Sequence, residues 1–357
     1  MPACLRAYYD RGMESAEQVQ QSVRSRRITA AMVAARAGVS TATVSLVANG
    51  KTAGRVSEDN IIRVREAISE LGYVVDSVGS SLAKGVSSIV LLVAPDISNP
   101  FFANVITGVR ESLGADYQLL LSVTDPGEFP QADDVRKLMA LRPAGLLVDA
   151  PNVEFLEELS AAGPVVLLDA PGLEAYAPSV NLDVAHGARQ LAAHLADIGH
   201  RRVAYMDSVT GTATFEVRRR AFLAAASAHG MSVPADGIIS TTIDVGASAA
   251  AFAAAWPAWQ EAGVTAVACC TDTHAYGVLQ EARVAGVQIP GQLAIAGFDD
   301  LPYSATSNPS LTSVHLPATS LGLKAGGQLR LLMEGHRLEQ PQLTLESSLV
   351  IRNSTSA

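Results

Sequence analysis

Seven aspartates close short apolar runs along the chain: Asp96 in SIVLLVAPD, Asp125 in YQLLLSVTD, Asp149 in AGLLVDAP, Asp169 in PVVLLDAP, Asp207 in RRVAYMDS, Asp272 in TAVACCTD and Asp299 in QLAIAGFDD. Carboxylates so placed can accept hydrogen bonds from a ligand's hydroxyls, act as acid and base in hydrolysis, or cap the helix that follows. The second role needs a basic partner, and no histidine or lysine stands at a matching place. His186, His194 and His200 run along one helix and its end, where surface or capping roles suffice. No G-x-G-x-x-G follows the first run, and Walker, G-x-S-x-G and zinc-site motifs are missing, so neither an enzyme nor a cofactor or metal is expected. A second group of polar residues is of another kind. The stretch AGVSTATVSLVANG sets Ser40, Thr41, Thr43 and Ser45 close together ahead of an apolar run, near the front of an otherwise apolar chain.

The elements that must carry these groups follow from their patterns. Continuous apolar runs mark strands buried on both faces, hence parallel sheets with helices outside, and there are enough for two doubly wound sheets. In such sheets the ligand crevice lies beyond the carboxyl ends of the strands, where these aspartates stand. At the front, TAAMVAARAG reads as a helix with Thr29 as N-cap and Met32, Val33 and Ala37 facing inward, ended by Gly38. Ser40 caps a second helix, Thr41 to Ala48, with Val44 and Val47 inward, and SEDNIIRVREAISELG predicts a third from Ser57 to Gly72. Three short helices with a glycine turn between the first two form a helix-turn-helix. Its second helix is small and hydroxyl-rich on the side that would meet phosphates and base edges.

Bulk properties agree. The 357 residues are 48% hydrophobic and 17% charged, which suits two or three folded domains with sizeable cores. No apolar run approaches the roughly 20 residues of a membrane helix, and the front end has no signal-peptide core, so a cytoplasmic, nucleoid-associated place is expected. The net charge of −9 hides an asymmetry. From Arg24 to Lys84 nine Lys/Arg stand against five acids, a basic end on an acidic body, which suggests that one end meets a polyanion. Cys269 and Cys270 sit in an apolar run and read as buried packing.

VAARAGVSTATVSLVANG, followed by RVSEDNIIRVREAISELGY, closely resembles the headpiece of the LacI/GalR family of bacterial transcription regulators. The likeness continues in register through SSLAKG, LLVAPDISNPFF and IAGFDDLP to LVIRNSTSA, about residues 27 to 355. The fold it implies is α/β: an N-terminal three-helix helix-turn-helix headpiece plus a two-lobed, periplasmic-binding-protein-like core of doubly wound parallel sheets. The expected division is an extension over 1–26 (Met13 being a candidate initiator), a headpiece over 27–74, a hinge over 75–86 and a core over 87–357. Lobe 1 is expected at about 87–183 and 316–342, lobe 2 at about 184–315 and 343–355.

By that resemblance Thr41, Ala42 and Leu46 read bases in the major groove, and Thr29, Ser40, Thr43, Ser45 and Asn49 lie at or near phosphates. Many relatives carry arginine where Leu46 stands, so no operator sequence carries over. Leu82 matches the leucine that wedges into the minor groove, in a segment that becomes helical on DNA. Asp96, Phe101, Phe102, Asp149, Asp169, Arg218, Thr271, Asp272 and Asp299 match or flank effector-pocket positions, while Asp125 and Asp207 are left as caps or surface residues. Carboxylates with one guanidinium suit a neutral polyhydroxylated ligand such as a sugar. Val245 and Leu316 stand where many relatives have an aromatic and a glutamine, so no particular sugar is named. The resemblance thus implies a homodimeric regulator, in the first place a repressor, that binds double-stranded operator DNA and a small-molecule effector. A sugar-binding protein without a regulatory role is the alternative.

Overall fold

The computed structural model describes residues 28–73, 87–94, 97, 99–124, 130–159 and 163–356. The chain divides into two compact units, Met1–Gly85 and Val86–Ala357, each described by itself. The extension, the hinge with Leu82, and Asp96 and Asp125 lie outside the described residues.

In the first unit α1 (Ala30–Ala37), α2 (Thr41–Ala48) and α3 (Glu58–Leu71) close around one fully buried valine from each helix: Val33, Val44 and Val64. Burying a side chain of this size is worth about 1.5–3 kcal/mol, a large share for so small a unit. Gly38 turns the chain between α1 and α2 at φ +65°, a left-handed conformation that costs glycine nothing. Thr29 occupies the N-cap of α1 but makes no side-chain capping bond. The inward face of α1 differs from expectation by one position. Val33, Ala34 and Ala37 are buried and Met32 is 37% exposed, because a 100° step per residue sets 33, 34 and 37 on one side and turns 32 away.

The second unit holds two six-stranded sheets. The first contains β1 (Ile89–Ala94), β2 (Gln118–Val123), β3 (Gly145–Asp149), β4 (Val165–Leu168), β5 (Ser179–Asp183) and β11 (Gln342–Glu346), ordered β11-β5-β4-β3-β1-β2 and parallel throughout. The second contains β6 (Val203–Ser208), β7 (Ile238–Thr241), β8 (Ala266–Cys269), β9 (Ala294–Asp299), β10 (Thr312–His315) and β12 (Ser348–Val350), ordered β12-β10-β9-β8-β6-β7, with β12 antiparallel to β10. Helices α4 (Phe101–Leu113), α5 (Ala132–Met139), α6 (Val153–Leu159) and α11 (Ala318–Met333) accompany the first sheet. The second has α7 (Val184–Asp197), α8 (Ala213–Ala228), α9 (Val245–Glu261) and α10 (Asp272–Val284).

All seven apolar runs are strands. Residues 343–346, expected in lobe 2, instead belong to the first sheet: β11 pairs with β5, and its alternating pattern turns Leu343 and Leu345 onto the core. The chain passes between lobes at residues 183–184, 315–318 and 347. These passages lie together. A Cβ on Gly187 would meet Val314 at 2.3 Å and Ser347 at 2.7 Å, and the Ser347 hydroxyl donates to the Asp183 carbonyl at 2.6 Å. On the first lobe α4 and α11 touch backbone to backbone, since a Cβ on Gly108 would lie 2.0 Å from the Thr319 carbonyl.

Candidate functional site

The carboxyl ends of both sheets carry the candidate site. Four of the five non-glycine residues with positive φ among the described residues stand at these ends: Ala150 (+41°), Asp169 (+43°), Asp299 (+107°) and Asp300 (+52°). Strained backbone of this kind persists only where the surroundings impose it, and it collects at ligand sites.

On the second lobe, α8 delivers Arg218, which is 3% exposed. Its guanidinium lies against the rings of Phe298 and Phe215, 4.4 and 5.0 Å from their centroids, and donates to the Cys270 carbonyl. Asp299, the last residue of β9, places Oδ1 3.7 Å from Arg218 Nη1. Asn99 of the first lobe donates from Nδ2 to Asp299 Oδ2 at 3.2 Å, while its Oδ1 accepts from the Phe101 amide at the start of α4. Burial pushes Asp299 up to about 7, against the pull of Arg218 and the Asn99 bond.

On the first lobe, Asp149 ends β3 and Asp169 follows β4; both are buried. Burial, then the charge of Asp169, pushes Asp149 well up, and burial raises Asp169 against the opposing pull of Arg218, the Thr214 hydroxyl and the Leu182 amide. Among the described residues eight buried side-chain nitrogen or oxygen atoms have no hydrogen-bond partner. Six are gathered here: Asp149 Oδ1, Asp169 Oδ1, Arg218 Nε and the hydroxyls of Tyr205, Thr212 and Thr214. Buried polar groups are almost always paired, so such a gathering marks a place built for a polar ligand.

Two expected pocket residues do not join it. Asp272 is wholly buried and saturated: it accepts from the Leu301 amide and from the Ser304 and Ser313 hydroxyls, and thereby holds the segment after β9. A Cβ on Gly297 would lie 2.2 Å from its Oδ1, so the neighbouring strand must be bare there. Burial and then Asp299 push it up to about 8. Thr271 is the N-cap of α10, its Oγ1 accepting from the His274 amide at 3.2 Å. Asp207 departs from its expected cap or surface role. It is buried, accepts the Ser208 amide at 2.9 Å, and pairs with Arg219 at 2.7 Å, because α8 swings that arginine over β6. Cys269 and Cys270 are buried, and the Cys270–His274 approach (3.6 Å) is not an activated pair. Burial pushes the thiol well up and the imidazole down to about 4, the reverse of a thiolate–imidazolium couple.

Phe101 and Phe102 meet edge to face at 5.4 Å between centroids. Phe101 also lines, with Asn104, Asp299, Leu316 and Thr319, a cavity of about 170 Å³ between the lobes. Leu316 is buried at one of the lobe crossings, filling with apolar atoms a place that could have carried a polar side chain.

In the headpiece, Thr41, Ala42, Ser45 and Asn49 of the α2 region are exposed, as is Thr29, and Thr43 and Leu46 are half-buried. Ser40 Oγ accepts from the Thr43 amide at 3.1 Å and lies 3.0 Å from the Thr43 hydroxyl, so this pair caps the helix as well as facing outward. Asn49 donates to the Ser45 carbonyl at 2.7 Å.

The family model described as "Bacterial regulatory proteins, lacI family" matches residues 29–76, and that described as "Periplasmic binding protein-like domain" matches 192–355. The HTH-type transcriptional repressor PurR of Photobacterium profundum is 29% identical over 327 residues, 90% of this chain and 97% of that protein. The HTH-type transcriptional repressor CytR of Escherichia coli (strain K12) is 27% identical over 332 residues, covering 91% and 95%. The solved complex of the transcriptional regulator CelR with cellobiose superposes with a TM-score of 0.68 at 26% identity, covering 92% of this chain and 100% of that one. The chain belongs to the lacI family of bacterial regulatory proteins.

Within this lacI-family chain, sequence reasoning missed several members of the crevice. Asn99 carried a legible signal, an Asn-Pro pair at a helix start, but only the fold brings its amide to residue 299. Phe215 and Phe298 flank the guanidinium, and Thr212 and Thr214 line the entry to α8. Nothing in their local pattern distinguishes them from packing or turn residues.

Proposed function

We propose that this chain is a transcriptional repressor whose affinity for operator DNA is set by a small polyhydroxylated effector bound between the two lobes. The observation that carries the proposal is the gathering of unpartnered buried donors and acceptors from both lobes at the strand ends, in a chain that also has a lacI-family helix-turn-helix. Donors (Arg218 Nε, three hydroxyls) and acceptors (Asp149, Asp169) together suit a ligand rich in hydroxyls, which both gives and takes hydrogen bonds. Asp299 and Arg218 are its anchors on the second lobe, Asp149 and Asp169 on the first, with Phe101 and Phe102 at the margin. Thr271 and Asp272 support the wall from behind. The protein acts on DNA as a homodimer, since one headpiece is too small to bind tightly alone and two-fold operators present two half-sites. Its work lies in the cytoplasm, on the nucleoid, and it is a switch and not an enzyme. Among the described residues no single helix is long and apolar enough to cross a membrane.

On DNA, bases are read from the exposed face of α2 by Thr41, Ala42 and Leu46, with Thr29, Ser40, Thr43, Ser45 and Asn49 toward phosphates and Leu82 of the hinge as the wedge. A binding-site selection first yields the operator; fluorescence anisotropy then measures operator affinity with and without members of a sugar, sugar-acid and nucleoside library. One or more compounds shift that affinity, and Asp299→Asn removes the shift while leaving effector-free affinity within a few-fold. A library without effect on either binding or melting temperature refutes the reading. Leu46→Arg changes the preferred base at one symmetric position per half-site, by about 1–3 kcal/mol of discrimination. Identical selected operators would place Leu46 away from the bases.

A further inference from the structure

The crevice carries more buried acid than its one guanidinium can match. Among the described residues Arg218 is the only buried Lys or Arg, against five buried aspartates. Two of the five have their partners within the protein, Asp207 in Arg219 and Asp272 in three donors. Asp299 faces Arg218 and Asn99. Asp169 shares the charge of Arg218 and feels the Thr214 hydroxyl and the Leu182 amide, yet its Oδ1 has no hydrogen-bond partner. Its neighbour on the first-lobe wall, Asp149, has an unpartnered Oδ1 and no counter-charge, so one guanidinium stands against three acids.

Two neighbouring buried carboxylates cannot both ionise without a counter-charge, and a buried charge left uncompensated is strongly destabilising. A ligand hydroxyl would donate to one of these oxygens and leave the charge as it was. A protonated amine has three donors and a positive charge, so a single group serves both oxygens and balances one of the two acids. Arg218 Nε and the Thr212 hydroxyl are buried and unpartnered too, and they call for oxygen acceptors on the rest of the ligand, while the Thr214 hydroxyl faces Asp169.

We infer that the crevice takes an aminated polyol, a small molecule bearing one protonated amine among its hydroxyls, with the amine seated between Asp149 and Asp169. Its hydroxyl oxygens meet Arg218 Nε and Thr212. The same arrangement turns away phosphorylated sugars and sugar acids, whose negative charge would enter beside three aspartates. The inference rests on the effector reading of the crevice and narrows it to a chemical class.

The test is calorimetric titration of the full chain near neutral pH with matched gluco, galacto and manno sets, each a hexose, its 2-amino-2-deoxy counterpart and its uronate. In at least one set the amine binds about tenfold or more tightly than the hexose, and the uronate binds weakest. Asp149→Asn with Asp169→Asn removes the preference for the amine. A hexose or uronate that equals or beats the amine in every set that binds overturns the inference, as does a failure of all three amines to bind. If a hexose leads and also shifts operator affinity, the effector reading stands and only the cationic preference falls. The wild-type ranking decides the matter even if the double variant does not fold.

Discussion

On the second-lobe wall of the crevice the buried carboxylates have partners inside the protein, whereas on the first-lobe wall Asp149 and Asp169 each keep a buried oxygen without one. Asp272 spends both oxygens on Leu301, Ser304 and Ser313, and Asp299 is held between Arg218 and Asn99. The residue type and the place at a strand end are the same; the neighbours differ. A carboxylate satisfied from within fixes the chain around it, and one left short of donors is available to recognise something from outside. Among the carboxylates, then, those of the second lobe fix the chain around them, and those of the first lobe keep acceptors for a ligand, while the second lobe offers its free donors from Arg218 and Thr212.

That contrast can be broken most forcefully at Arg218. Arg218→Ala leaves Asp299 and Asp169 buried without their cation, and removing one partner of a buried pair costs about 3–5 kcal/mol. Urea unfolding at about pH 8 reads this loss, which shrinks at about pH 5, where Asp299 takes up a proton. An unchanged midpoint would mean that the pair contributes nothing. Next comes Asp272→Ala, which strands three donors at about 1 kcal/mol or more each and should lower stability by roughly 3 kcal/mol. Operator affinity measured well below the melting temperature is expected to stay within a few-fold.

The first-lobe wall predicts the opposite sign. A carboxylate whose folded pKa lies above its ordinary value favours the folded state in acid. That stability is lost as pH rises from 3.8 through about 7 for Asp299, through about 8 for Asp272, and upward for Asp149 and Asp169. The effector-free protein should melt at lower temperature at about pH 8 than at about pH 5 through these groups, and Asp149→Asn should raise the melting point at the higher pH by an amount equal to about 1 kcal/mol. A fall in stability at that pH would show that Asp149 has a partner after all. Asn99→Ala acts on the contact between the two walls. Loss of one cross-lobe hydrogen bond to a charged group is worth about 1.5 kcal/mol, and because Asn99 also holds the start of α4, Asn99→Asp separates the two roles. It keeps the acceptor for Phe101 and sets a second carboxylate against Asp299, so effector affinity drops further than in the alanine variant.

The sequence alone determined the elements whose burial is continuous and the helices whose punctuation is local. β1, β2, β3, β4, β6, β8 and β9 stand out as apolar runs because both faces of a parallel sheet are covered. The headpiece was legible because Gly38, Ser40, Ser57 and Gly72 act within a few residues of where they stand. β5, β10 and β11 were not, since SVNLD, TSVH and QLTLE become strands only when a neighbour offers its hydrogen bonds. The fate of each aspartate was decided later still. Asp272 becomes a structural lock because Leu301, Ser304 and Ser313 arrive from 29, 32 and 41 residues further along. Asn99 becomes part of the site because the fold carries it to a partner 200 residues away. A side chain's type limits what it can bond, and local sequence shows the type. Which donor reaches a buried oxygen, or whether any does, depends on segments far apart in the chain, and only their packing settles it.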